Sequence, residues 1–158
     1  MVSSPATIVH NTWIGAGLLA WFVAQGCKLI HSLLKTRSVD FTYFVSTGGM
    51  PSAHSAAVCG VAWSIGLTDG FGTTVFAVAF TIACVTMFDA ATLRLNAGRQ
   101  AQLLNEIARE VFSGRKVPKE PLRELLGHTP LEVLVGMLVG ILVATIVVLW
   151  TRGATPTI

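Results

Sequence analysis

A chain of 158 residues that is 53% hydrophobic and 12% charged, with a mean hydropathy of +0.67, has too few polar residues to cover a water-soluble domain of its size. It reads as an integral membrane protein. The net charge of +3 is modest and sits on one side of the apolar runs, which fits anionic lipid head groups; with no aromatic and basic platform in the sequence, a nucleic-acid partner is not expected.

Residues 1–11 are polar and expected to be loose, as are the last few from Gly153. Four apolar runs lie between them, at 12 to about 34, 51–67, 73 to about 93, and 130–150. Each approaches the ~20 residues that cross a bilayer as a helix, and the second is the shortest. The first run is expected to remain in the mature protein, because its basic residues follow the apolar stretch and no small-residue cleavage site ends it.

After the first run, residues 38–46 carry aromatics suited to a partly embedded connection. The stretch Thr47-Gly48-Gly49-Met50-Pro51-Ser52-Ala53-His54-Ser55 then joins a glycine loop to an apolar helix, with Pro51 suited to the first helical position and His54 to the first turn. Two glycines let successive backbone N–H groups turn toward one anion, and the helix start adds partial positive charge. Beyond the third run, Leu104, Ile107, Ala108 and Val111 recur at helical spacing, with Arg99, Gln102, Glu106, Arg109 and Glu110 elsewhere on the wheel. That pattern predicts an amphipathic helix on the cytoplasmic surface. Gly114 and Pro118 end it, and residues 120–126 are expected to form another short turn or helix. Gly127-His128-Thr129-Pro130-Leu131-Glu132 opens the fourth run, placing a second histidine beside a second Pro-started helix. The expected fold is all-α: one membrane-embedded domain over 1–158, core about 12–150, forming a bundle of about four transmembrane helices plus the amphipathic one between the third and fourth.

Lys28, Lys35 and Arg37 close the first run, and Arg94, Arg99, Arg109, Arg115, Lys116, Lys119 and Arg123 fill the link between the third and fourth, so ten of the eleven Lys and Arg share one face. By the positive-inside tendency that face is cytoplasmic, or stromal in a plastid, with both termini opposite. Trp13, Trp63 and Trp150 are expected at the other interface. Cys27, Cys59 and Cys84 are isolated within apolar runs and read as small buried hydrophobes; no metal site or cofactor is expected.

An even number of crossings brings the end of run one, the start of run two, the end of run three and the start of run four to the same face. Those places hold the unusual polar residues: Gln25, Lys28 and His31; Gly48 to His54; Asp89 and Arg94; His128 and Glu132. A phosphoester would use them together. Backbone amides with Lys28 and Arg94 would bind phosphoryl oxygens, one histidine would attack phosphorus and the other would protonate the leaving alcohol. Glu132 could hold His128 in one tautomer. Each residue also has a plainer explanation. Thr129 and Glu132 form a good capping box, Lys28 can snorkel to head groups, Arg94 can simply mark the membrane boundary, and Asp89 can pair with either cation.

Several stretches together resemble the divergent type 2 phosphatidic acid phosphatase family, also known as acid phosphatase/vanadium-dependent haloperoxidase-related membrane proteins. They are Gly48 to Ser55, Phe88-Asp89-Ala90 with Arg94, Ala97-Gly98-Arg99-Gln100-Ala101, Leu104-Asn105, and Leu125 to Val133. The resemblance runs over 18–148. It implies that His54, within Pro51-Ser52-Ala53-His54, is the general acid, and that His128 and Glu132 are the nucleophile and its orienting acid. Ala53 stands where the wider superfamily has glycine, Glu132 where it has aspartate, and Leu122 where it has an arginine six residues before the nucleophile. The superfamily's lysine and arginine motif is also incomplete, with Lys35 seven residues after Lys28 and Thr36 following it.

These readings converge on a metal-independent phosphatase acting on a lipid phosphomonoester such as phosphatidic acid or phosphatidylglycerophosphate. Its expected catalytic residues are His128, His54 and Glu132; the expected phosphate ligands are Lys28, Gly48, Gly49, Ser52 and Arg94, supported by Asp89. The expected partners are the lipid phosphate and the surrounding membrane lipids, and four spans leave room for a homo-oligomer. The alternatives are a noncatalytic lipid-binding membrane scaffold and a histidine-dependent phosphotransferase.

Overall fold

The computed structural model of the protein describes residues 11–36, 49–111 and 127–154. The connections expected at 38–46 and 120–126, Gly48, and the basic residues Arg37, Arg115, Lys116, Lys119 and Arg123 lie outside them. All regular structure among the described residues is helical: α1 (Thr12–Thr36), α2 (Ala53–Asp69), α3 (Thr74–Ala91), α4 (Leu93–Val111) and α5 (Pro130–Ala154).

The helix starts follow from local chemistry. Asn11 Oδ1 accepts from the N–H groups of Trp13 and Ile14 at 3.0 and 3.2 Å, and Thr73 Oγ1 accepts from Phe76 N at 3.3 Å. Both are ordinary N-caps. At α2 the expectation of a proline start is corrected. Ser52 is the N-cap, in extended conformation, and Pro51 precedes it. The Ser52 hydroxyl accepts the Ser55 N–H at 3.4 Å, satisfying a donor that the helix start would otherwise leave without an intrahelical acceptor, which Pro51 has no side-chain oxygen to do. At α5 the expectation holds, since Pro130 is the first helical residue.

Among the described residues, three segments are long and apolar enough to cross a membrane: Thr12–Leu34, a window within Thr74–Val111, and Pro130–Gly153. The fourth expected span, α2, has only 17 residues and occupies the centre, packed against α1, α3 and α5. Its composition permits that place. Gly60 comes so close to α1 that a Cβ there would lie 3.2 Å from Ala20 Cβ and 3.3 Å from Ala16 O. Gly136 and Gly140 of α5 press directly on the backbone of Ser52 and Ala56. Small residues therefore fill the interior, with Ala20, Ala24, Ala53, Ala56 and Val143 forming one cluster and Cys59, Ala62 and Ala83 another. Large ones face outward, as Leu18, Ile30, Val85, Phe88, Leu142 and Leu149 do. This arrangement suits lipid, which solvates large apolar side chains and leaves close backbone packing to hold helices together.

Contacts between the helices set their directions. Trp13 Nε1 donates to Thr68 Oγ1 at 2.7 Å, so α1 begins where α2 ends. Trp63 Nε1 donates to Thr145 Oγ1 at 3.0 Å, and Arg152 donates to the Leu67 carbonyl, so α2 and α5 run parallel. Cys59 Sγ lies 3.5 Å from Met87 Sδ, placing the end of α3 beside the first half of α2. The end of α1, the starts of α2 and α5 and the end of α3 thus share one end of the bundle, as expected from the sequence.

Two expectations change. Trp63 was expected at an interface but bonds within the bundle. Of the cysteines only Cys59 is buried, while Cys27 and Cys84 are exposed, because a lipid-facing surface accepts a small apolar side chain as readily as the interior does. The amphipathic stretch after α3 is helical, as α4, with Leu103, Leu104, Ile107 and Val111 exposed and Asn105 buried.

Candidate active site

The starts of α2 and α5 lie side by side, joined by a backbone hydrogen bond from Ser52 N to Glu132 O of 3.0 Å. Two parallel helix N-termini therefore direct their partial positive charge to the same region. Gly136 permits this approach, since a side chain there would collide with the Ser52 carbonyl. Gly136 and Gly140 escaped the sequence reading, although Gly-x3-Gly in an apolar helix is a recognisable sign of close helix contact.

His128 sits two residues before the first residue of α5 and is 2% exposed. Its Nδ1 is 3.1 Å from Glu132 Oε2. The same carboxylate oxygen accepts from Thr129 N at 3.1 Å, and Glu132 N donates to Thr129 Oγ1 at 3.4 Å. The capping box and the histidine contact, which compete as explanations in the sequence, therefore coexist in one geometry. A carboxylate can only accept, so with neutral imidazole Nδ1 carries the proton and Nε2 the lone pair.

Lys28 is 4% exposed on α1 and lies within electrostatic range of the Glu132 carboxylate. Gln25, one turn earlier, is equally buried. Gly49 has φ of 89°, a conformation for which glycine is the natural residue. His54 is exposed in the first turn of α2, and Asp89 is half-buried near the end of α3.

Ser52 is among the expected phosphate ligands. It is fully buried; its N–H goes to Glu132 O, and its Oγ lies 3.0 Å from the Ser55 hydroxyl and also takes the Ser55 N–H. Its polar groups hold the two helix starts together. Arg94 falls on the second residue of α4, with its side chain outside the described set, as is Gly48. The structure thus assembles Lys28, Ser52, His128 and Glu132 and places His54 and Asp89 at the same end. Among the described residues there is no cluster of three or more His, Cys, Asp or Glu with metal-binding geometry.

The family model described as the divergent PAP2 family matches residues 9–143. The chain belongs to the divergent PAP2 family. It is also 38% identical over 150 residues to the uncharacterized membrane protein YuiD of Bacillus subtilis (strain 168), a match covering 88% of this chain and 95% of that relative. No solved structure matches. The family and the three apolar helices together make this a PAP2-related integral membrane protein.

Proposed function

We propose that this protein is a membrane phosphatase that hydrolyses a lipid phosphomonoester, such as phosphatidic acid or phosphatidylglycerophosphate, through a phosphohistidine. The observation that carries this reading is the contact of 3.1 Å between His128 Nδ1 and Glu132 Oε2 at two adjoining helix N-termini. It prepares a histidine nucleophile where a phosphoryl group is electrostatically favoured.

In the first step His128 Nε2 attacks phosphorus, the bond from phosphorus to the lipid oxygen breaks, and His54 protonates the departing alkoxide. In the second step, water attacks the phosphohistidine and gives a proton to His54; the P–N bond breaks and releases inorganic phosphate. Lys28, the amides of Gly48 and Gly49 and Arg94 would bind the phosphoryl oxygens, while Asp89 orders the cations around them. Glu132 keeps the attacking nitrogen unprotonated and stabilises positive charge on the ring. Ser52 acts by holding the two helix starts in register. The polar end of the bundle would face the cytoplasm or stroma, where its basic residues favour it.

The decisive experiment is phosphate release from a panel of lipid phosphates by purified protein in mild detergent, with EDTA present. Release should disappear in His128→Ala and be inhibited by vanadate, which imitates the transition state of phosphoryl transfer. Lipid binding without release by folded protein would instead identify a noncatalytic scaffold. Product formation that requires a second alcohol would identify a phosphotransferase.

A further inference from the structure

Away from the histidines, α1, α2 and α3 line an open apolar cavity of about 530 Å³. Its floor is made of small residues, Gly17, Ala57 and Ala79, recessed behind Leu18, Phe22 and Ile82. Those three large side chains are each more than half exposed on the outer surface of α1 and α3. Of its three walls, α1 and α3 belong to segments apolar enough to cross a membrane, so in a bilayer the slot opens between them toward lipid chains. No charged residue lines it.

The register of its three walls gives the slot a direction. Trp21, Val61 and Ile82 line it, and seven residues toward the polar end of each helix stand Lys28, His54 and Asp89. Seven residues are two turns, which return to the same helix face within about 20° and advance about 10 Å. The slot therefore leads along all three helices to polar residues at the end of the bundle that holds His128.

We propose that this slot receives one acyl chain of the substrate lipid while the phosphate lies at the end marked by Lys28 and His54. The inference rests on the phosphatase reading for the identity of the head group and extends it to how the chain is held. Charge complementarity favours a lipid phosphate: Lys28 and His54 meet the anion, Asp89 serves to order the cations beside it, and an uncharged slot meets the chain. A helix from a second copy is a poor occupant, because the bulky rim keeps its backbone from the small-residue floor that close helix pairing requires.

The test is photocrosslinking of purified protein in lipid nanodiscs with phosphatidic acid carrying a diazirine midway along one acyl chain, followed by peptide mapping. Labelling should concentrate on Ala57, Val61 and Ile82, and unlabelled phosphatidic acid should suppress it far more than phosphatidylcholine does. Ala57→Phe, shown to be folded by its thermal midpoint, should lower labelling roughly tenfold by overfilling the slot. Labelling spread evenly over the outer faces of α1, α3 and α5, or suppressed equally by both lipids, would overturn the proposal. So would crosslinks from these positions to a second copy of the chain. Labelling needs no turnover and should persist in His128→Ala; slot labelling of a wild-type protein that releases no phosphate defeats the phosphatase reading alone. Phosphate release without slot labelling defeats this inference alone.

Discussion

Glu132 uses one carboxylate oxygen for two tasks, accepting from the Thr129 amide and meeting His128 Nδ1, both at 3.1 Å. A pair of substitutions separates them. Glutamine retains an acceptor oxygen and is itself a capping-box residue, so Glu132→Gln should keep the thermal midpoint near that of the wild type. Without the carboxylate charge that stabilises a positive imidazole, it should lose phosphate release by roughly 10²- to 10⁴-fold, the range for acid–base support. Glu132→Ala should lose the cap as well, at about 1 kcal/mol of stability. Wild-type rates in Glu132→Gln would leave Glu132 as a helix cap only. His54 has a different test, because a general acid matters most for a poor leaving group. His54→Ala should slow release from a lipid phosphate by about 10²-fold or more, yet slow release from p-nitrophenyl phosphate much less, since nitrophenolate departs without a proton. Equal losses on both substrates would remove His54 from the acid role. Both histidines were legible in the sequence because each precedes or opens a Pro-flanked apolar helix. The engagement of Ser52 was not, since its partner Glu132 lies eighty residues away and bonds through backbone atoms.

The pairing of α2 with α5 places the catalytic ends together, and it depends on glycine where the helices touch. Gly136→Ala would set a methyl group against the Ser52 carbonyl, and Gly140→Ala would do the same at Ala56. Neither neighbour is a flexible side chain, so the helices must separate. Each substitution should destabilise by about 1–3 kcal/mol, as overpacking does, and should lower phosphate release with it. Gly15→Ala is the matched control. Nothing lies within 4 Å of a Cβ at Gly15, and a helical glycine replaced by alanine should gain up to about 1 kcal/mol. Thermal unfolding in detergent measures all three, and an unchanged midpoint in Gly136→Ala would show that the contact is not close in solution. Helix positions were largely readable from apolar run length, with ends displaced by a few residues where caps took over, as Ser52 did from Pro51.

The bundle as a whole has a polar end, with Lys28, His54, Asp89 and His128, and an opposite end where Trp13 meets Thr68 and Arg152 meets Leu67. If α1, α3 and α5 cross a bilayer, these ends lie on different sides. Met50→Cys and Gly153→Cys, each in a protein whose native cysteines are replaced by alanine, should react with an impermeant maleimide from opposite faces of sealed vesicles. Labelling of both from one face would require a different course through the membrane. Composition and run length by themselves determined that the protein is a helical membrane bundle, and crossing parity determined which segment ends come together, because the bilayer admits few ways of satisfying a backbone. Only the tertiary structure decided that the short α2 is central, that α2 and α5 touch backbone to backbone at Ser52 and Gly136, and that Glu132 serves its helix and His128 at once. Those outcomes depend on which faces of distant helices meet at distances of a few ångströms, and helical periodicity records which face is apolar without recording what packs against it.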